Sequence, residues 1–372
     1  MTSTDSGASG RFRRLRVARR VRESESIVSF ELVPADGLAL VPFRAGQFVA
    51  VRIAMPDGES LVRTYSLSGD PADTSRWRIS VKLESNPRGR GSSYLHESVA
   101  AGDELDIAGP AGEFVCAEES ERPVVLLSGG VGVTPMLSML HRLSSASARR
   151  VHFIHACENG AVHAFRDEVR RLAATRSGIG VHVCYRSPRE REDRDACDSR
   201  GLVTKETLQA LLPLDDYEVY LCGPPPFMQA NWSLLRSLGI ARERIHYEFF
   251  GPATVLDADA SPPAASIERE RTAAESDFGD AADGAPLTVQ FHPHHEPITW
   301  DPACASLLEF AEQSGYGPPF SCRAGICNSC VARLVTGRVG YVETPLDPPP
   351  DGELLLCCAK PLTSVTLEIQ SA

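Results

Sequence analysis

No stretch of these 372 residues is apolar over anything like the length of a membrane crossing, and Met1–Asp5 has none of the apolar character of a secretory signal. Positive charge is in deficit: 38 Lys and Arg stand against 49 Asp and Glu, a formal net charge of −11. That is the reverse of the basic footprint of a general nucleic-acid binder. The eleven cysteines are an odd number and mostly scattered singles, which argues against a disulfide framework and fits a reducing cytoplasm. Internal repeats are missing, and so is the GxGxxG dinucleotide fingerprint. What remains is ordinary globular composition, 42% hydrophobic and 23% charged, with room for two to three domains.

One group of cysteines is not scattered. Cys322, Cys327 and Cys330 lie in SCRAGICNSC, and Cys357 follows in LLLCCAKP. A C-x4-C-x2-C run with a distant fourth cysteine is the plant-type [2Fe–2S] ligand spacing. Gly325 gives the backbone the freedom to wrap such a centre, and loop N–H groups offset the thiolate charge. A zinc site or a set of buried thiols is the alternative, but zinc favours paired C-x2-C knuckles and one such pair occurs here. Cys358 adjoins the fourth position. A one-electron centre needs an electron source.

Residues 1–10 are small and polar, a disordered tail. From 11 to 117, alternating segments such as SIVSFELV, QFVAVRIA and WRISVKLE predict a small antiparallel barrel or sandwich. From 118 to 251, apolar runs ending in glycine alternate with helical patterns, predicting a doubly wound parallel sheet. Residues 252–286 carry eight acidic residues against Arg269 and Arg271 with no apolar period, a solvated linker spanning about 30 Å if flexible. Residues 287–372 return to a mixed α+β pattern of ferredoxin size.

Arg63-Thr64-Tyr65-Ser66 places an arginine and a tyrosine on one strand face, where a guanidinium can grip phosphate beside a flat ring, with the serine turned the other way. Read alone it is equally a cross-strand ion pair beside a half-buried tyrosine. Gly89, Gly91, Ser92 and Ser93 can present N–H groups and hydroxyls to a pyrophosphate. Gly129-Gly130-Val131-Gly132-Val133-Thr134-Pro135 leaves an apolar strand and opens a helix, a site for phosphate at a helix N-terminus.

With these motifs, the span from Phe12 to Gly251 resembles the ferredoxin–NADP reductase superfamily, in particular the reductase half of flavohaemoglobins. Residues 287–372 resemble plant-type ferredoxins. The domain order is similar to that of phthalate dioxygenase reductase and of the reductases of phenylacetyl-CoA epoxidase and hybrid-cluster protein. The resemblance implies an antiparallel β-barrel flavin domain, an α/β doubly wound NAD(P) domain and an α+β β-grasp ferredoxin domain. By motif, Arg63, Thr64, Tyr65, Ser66, Lys82, Gly89, Gly91 and Ser92 would hold the flavin, and Gly130, Gly132 and Thr134 the nicotinamide nucleotide. CGPPPFM supplies Cys222, Gly223 and Pro224 beside the nicotinamide, and EFFG brings Phe250 towards the flavin ring. Ser66, Cys222 and Glu248 would surround the hydride path. Cys322, Cys327, Cys330 and Cys357 would hold the cluster, the Cys-x-Ala-x-Pro spacing selecting Cys357 over Cys358.

The Gly-x-x-Ser loop points to FAD rather than FMN. The flavohaemoglobin likeness is not expected to extend to the haem, because only a short tail precedes the barrel. The implied function is an NAD(P)H-dependent oxidoreductase passing electrons singly, through FAD and the cluster, to a terminal oxygenase or another redox protein. A hybrid-cluster-protein reductase and a redox-sensing module with incidental turnover are the alternatives. Residues 287–372 hold nine Asp and Glu against four Arg and Lys, so the partner is expected to offer a basic face. Nicotinamide preference rests on residues near 156–159 and on Arg186 and Ser187; Arg186 could take a 2′-phosphate. Two further features read blandly. The arginines between Arg11 and Arg22 fit a first strand with an exposed basic edge rather than a docking patch, and His292, His294, His295 and Glu296 fit a solvated turn rather than a metal site.

Overall fold

The computed structural model describes residues 12–58, 60–189, 191–250, 286–292, 296–320, 323, 325, 328–342, 344–345 and 348–369. The expected tail 1–10, the expected linker save its last residue, and Cys322, Cys327, His294 and His295 lie outside these. The chain divides into two compact units, Met1–Phe250 and Gly251–Ala372.

In the first unit, β1 (Arg13–Arg22), β2 (Ile27–Pro34), β3 (Phe48–Ala54), β4 (Ser60–Ser66), β5 (Trp77–Lys82) and β6 (Glu104–Ala111) form an antiparallel sheet in the order β4-β3-β6-β1-β2-β5. An antiparallel bridge from Leu67 to Ile79 brings the two ends together, closing a barrel. Inward residues such as Leu15, Phe30, Val51 and Ile79 fill it. The basic first strand differs from expectation: β1 is not at an edge but lies between β6 and β2. Arg14 and Arg19 stand on the outward face, where acidic residues answer them: Arg14 with Glu104 and Asp106, Arg19 with Glu31. Arg13, opposite the inward Ile107 at the start of the strand, pairs with Asp36 beyond β2. Charge across strands, rather than protection of an edge, accounts for them. The segment opening GSSYLH forms helix α1 (Arg90–Ser98), anchored by the fully buried Leu95.

The barrel joins the following sheet through residues 112–123. Arg149, 9% exposed, donates from Nη1 to Ala117 O (2.7 Å) and from Nε to Arg122 O (2.5 Å). The Ala117 N–H in turn donates to the Tyr220 hydroxyl at 2.7 Å.

Beyond it run β7 (Val124–Gly129), α2 (Val133–Ala146), β8 (Val151–Cys157), α3 (Arg166–Ala173), β9 (Ile179–Tyr185), α4 (Arg191–Asp195), β10 (Ser199–Arg200), α5 (Lys205–Leu211), β11 (Glu218–Cys222), α6 (Pro225–Ser237) and β12 (Ile245–Glu248). All pairings are parallel, in the order β10-β9-β8-β7-β11-β12. Strand order reverses between β7 and β11, and a crevice outside the carboxyl ends of the strands at such a reversal is where open α/β sheets bind ligands. Those ends are Gly129 and Cys222.

Barrel and sheet are tied together within this unit. Gly46 N–H donates to Ser138 Oγ on α2 (2.9 Å), and Glu25 N–H to Ala161 O (2.9 Å). Arg78 on β5 grips Glu168 on α3 with two bonds of 2.9 Å, and His141 on α2 meets the same carboxylate at 2.7 Å.

The second unit contains β13 (Thr288–His292), β14 (Ile298–Thr299), α7 (Leu307–Gln313), β15 (Val331–Thr336), β16 (Val339–Tyr341), β17 (Glu353–Leu355), β18 (Ala359–Pro361) and β19 (Val365–Glu368). Five strands order as β14-β13-β19-β15-β17, with β13 and β19 parallel and the other pairs antiparallel, while β16 pairs with β18. Phe291, Leu307, Phe310, Leu355 and Leu367 share the core, so α7 packs against the sheet. His292 closes β13 and is exposed, as is Glu296.

Candidate redox site

Strand β4 ends at Ser66, and the alternation of a strand turns that side chain away from Tyr65. Ser66 is 4% exposed, and its hydroxyl meets no hydrogen-bond partner. Cys222, fully buried at the end of β11, stands in register with Glu248 at the end of β12. Part of Glu248 reaches the surface, but its Oε2 is sealed and unpartnered. Burial pushes its carboxyl up to about 8, an effect that the Ser66 hydroxyl, directed at it from outside good hydrogen-bond geometry, partly offsets. Burial and then the neighbouring Glu248 raise the Cys222 thiol well above its ordinary range. Ser66, Cys222 and Glu248 are therefore brought together from the barrel and the parallel sheet. Two orphaned buried oxygens, Ser66 Oγ and Glu248 Oε2, fit a planar heterocycle carrying its own donors and acceptors.

The loops at the strand reversal interlock through their backbones. A Cβ on Gly132 would collide with Cys222 O, and one on Gly223 would lie 2.6 Å from the Phe227 ring. Only glycine permits this approach, and the Phe227 ring packs against Gly129 and Gly223 at the strand ends. Gly130 turns the chain with φ +54°, and α2 starts three residues later with no side chain capping it. The Thr134 hydroxyl donates to Val131 O at 3.0 Å, so it braces the loop. Pro224 caps α6, whose first turn follows with two prolines.

On the barrel side, β4 carries an exposed Arg63 and a half-buried Tyr65 on the face it shares with Val51 and Val49, with Thr64 between them. Burial raises the Tyr65 phenol despite the opposing Arg63 charge, so it stays neutral. A Cβ on Gly91 would lie 3.4 Å from the Arg63 stem and 3.2 Å from Ile53. The start of α1 thus lies against Arg63, its first-turn N–H groups uncapped by any side chain and suited to a phosphate. Two expected contributors are otherwise engaged. The Ser92 hydroxyl donates to Gly89 O (3.1 Å) and accepts from Glu84 N–H (3.2 Å), bracing the loop. Lys82 pairs with Glu84 at 3.1 Å. Phe249 is buried, whereas Phe250 stands 36% exposed just past β12.

At the outer end of the crevice, the carboxyl end of β8, Glu158 lies 3.9 Å from Arg186, and Ser187 N–H donates to Glu158 O. Beneath it runs a polar network that the sequence did not reveal. Ser128 Oγ bonds His155 Nδ1 (2.9 Å) and His163 Nδ1 bonds the Tyr185 hydroxyl (2.8 Å), with the imidazoles 5.1 Å apart. Burial holds His155 down to about 4, and burial with His155 holds His163 down to about 2, so both are neutral struts.

In the second unit, Arg323, Gly325 and Asn328 all take left-handed backbone angles (φ 52°, 63° and 56°). Arg323 is fixed by Glu312 at 2.6 Å and lies 3.8 Å over the Phe320 ring. Cys330 and Cys357 are buried. Gly325 N–H donates to Cys357 Sγ (3.2 Å) and Cys357 N–H to Cys330 Sγ (3.4 Å). Two thiols served by backbone donors fit metal-bound thiolates, whose charge such donors stabilise. Among the described residues no three His, Cys, Asp or Glu side chains are grouped to hold a metal, and half the expected ligand set lies outside them. No described helix is long and apolar enough to cross a membrane.

Comparison with known proteins agrees with this layout. The oxidoreductase FAD-binding domain family matches residues 14–116, the oxidoreductase NAD-binding domain family 126–231, and the 2Fe-2S iron-sulfur cluster binding domain family 291–362. Flavohemoprotein from Pseudomonas aeruginosa is 45% identical over 247 residues, 66% of this chain and 61% of that protein. The chain spans about three fifths of the length of such relatives. The flavohem-like FAD/NAD-binding domain of nitric oxide dioxygenase from Vibrio cholerae superposes with a TM-score of 0.59 at 37% identity, covering 64% of this chain and 99% of that one. Phthalate dioxygenase reductase, described as a modular structure for electron transfer from pyridine nucleotides to [2Fe-2S], covers 96% of this chain and 98% of its own, with a TM-score of 0.55 at 26% identity. The chain belongs to the ferredoxin–NADP reductase superfamily, as an NAD(P)H-dependent oxidoreductase whose FAD-binding and NAD-binding domains are followed by a 2Fe-2S ferredoxin domain.

Proposed function

We infer that the protein is the reductase component of a multicomponent oxygenase, taking electron pairs from NADH and delivering them singly to a separate protein. The observation that carries the reading is the convergence of Ser66, Cys222 and Glu248, with two orphaned oxygens, at the strand reversal. A bound flavin and iron–sulfur cluster supply the conversion of a two-electron donor into a one-electron output. The chain's own part is to bind and orient. Arg63 and the uncapped start of α1 suit the flavin phosphates, as the glycine-lined crevice suits the nicotinamide nucleotide. Glu248 keeps its proton at neutral pH, so Oε can donate towards the ring, while Ser66 Oγ offers an acceptor or donor from the barrel side. The buried Cys222 keeps water from that point.

The choice of NADH rests on Glu158. A carboxylate at the end of the second strand of such a sheet accepts from the ribose 2′-hydroxyl and repels a 2′-phosphate. Arg186 pairs with that carboxylate rather than standing alone.

The acidic surplus of residues 287–372 supports docking to a basic partner. The test is anaerobic turnover with NADH against ferricyanide and cytochrome c. Cytochrome c reduction that vanishes in Cys327→Ser while ferricyanide reduction persists is the expected result. Equal loss of both, or negligible turnover of flavin-loaded protein, contradicts the assignment.

A further inference from the structure

Cys358 lies outside the ligand set read for the iron–sulfur centre, yet it packs against the loop that carries that set. It is 2% exposed, and a Cβ built on Gly325 would lie 3.0 Å from its Sγ and 3.6 Å from its Cβ. The thiol therefore supports the Gly325 backbone directly, with no room for a side chain between them. It cannot easily retreat. Its Sγ–H donates to Leu355 O (3.7 Å) and its carbonyl accepts from Val342 N–H (2.9 Å), which ties it to the end of β17 and to the residue after β16. From the same residue, Gly325 N–H donates to Cys357 Sγ at 3.2 Å.

We propose that Cys358 is a positioning residue for the iron–sulfur site: its sulfur fixes the height of Gly325, and so the N–H···S bond to Cys357 that helps set the reduction potential. The proposal rests on reading Cys322, Cys327, Cys330 and Cys357 as the ligands. Hydrogen bonds to the sulfurs are among the determinants of an iron–sulfur potential, because they stabilise the more negative, reduced form. A prop that lets Gly325 settle lengthens the bond and moves the potential downwards. Alanine removes the sulfur and leaves a void for the loop to sink into. Serine keeps a donor towards Leu355 O and most of the volume, so it preserves the support in part.

The test is a redox titration of the full chain, flavin and cluster loaded, followed by EPR. Cys358→Ala is expected to retain iron, sulfide and the reduced-state signal with a midpoint more negative than wild type, and Cys358→Ser to fall between the two. An unchanged midpoint in Cys358→Ala overturns the proposal. If the alanine variant fails to hold its cluster, Cys358→Ser decides, and a midpoint equal to wild type overturns it. A cluster lost in Cys358→Ser but kept in Cys357→Ser would make Cys358 the ligand and also refute the positioning role. Wild-type protein free of iron and sulfide would instead overturn the ligand reading itself, and the proposal with it.

Discussion

Replacing Glu248 with glutamine removes one proton from the energetics of the first unit. In the fold the carboxyl titrates near 8 rather than at the ordinary 4.5, chiefly through burial. The folded state thus holds a proton that the unfolded chain releases above pH 4.5. Stability falls as pH rises from 4.5 to 8 and levels off above that. At pH 7 the deficit amounts to about 3 kcal/mol, and an effective environment wetter than a sealed cavity makes that an upper figure. Glu248→Gln should flatten this slope while leaving stability at pH 5 nearly unchanged. Glu23 is also raised by burial, so the difference between wild type and variant, not the wild-type curve alone, isolates Glu248. The assay is urea unfolding of flavin-free protein between pH 5 and 9. Infrared difference spectra of the same pair should show a protonated-carboxyl band that persists past pH 7 in wild type only. Parallel stability curves, or a band already lost by pH 6, would refute the argument that the carboxyl is kept neutral.

Gly132→Ala would drive a methyl into the Cys222 carbonyl, so the KM for NADH should rise about tenfold or more while flavin content holds, which steady-state kinetics and absorbance will read. Glu158→Gln should raise kcat/KM with NADPH relative to NADH by about tenfold, as loss of one repulsive charge near a phosphate allows. Arg78→Ala breaks a pair whose partners are each 15% exposed and should destabilise the first unit by about 3 kcal/mol in denaturant unfolding. Burial alone would raise Glu168, but His141 and Arg78 outweigh it and hold the carboxyl down to about 2. That contribution is present above pH 4.5 and lost as pH falls towards 2, so the variant's deficit should shrink in acid.

The parts of this protein governed by local pattern are legible in the chain. Continuous apolar runs such as VVLLSG announce strands buried on both faces, and their glycine ends mark the crevice. Cys222 and Glu248 can be named from their motifs, but their register pairing depends on β11 and β12 lying side by side, which spacing does not state. The arginines of β1 mislead because charge density looks the same on an edge and on an outward face; the acidic partners of Arg14 on β6 and of Arg19 on β2 distinguish the two. Helix α1 leaves little trace because glycine and serines are weak helix formers, and burial of Leu95 overrides that weakness. The Arg78–Glu168–His141 cluster joins residues far apart in sequence, and no periodicity encodes it.

The Arg149 guanidinium matters for anyone who would recombine such reductases. A seam drawn between Ala117 and Glu118 looks natural in sequence, yet the Ala117 peptide is clasped by Arg149, 32 residues further on, and by Tyr220, 103 residues further on. A chimera cut at that seam and grafted onto a foreign barrel keeps the bond from Arg149 to Arg122 O but gives up its own Ala117, so one guanidinium donor and the Tyr220 hydroxyl must find substitutes in a borrowed backbone. Moving the cut upstream of Ala117 lets donors and acceptors travel together.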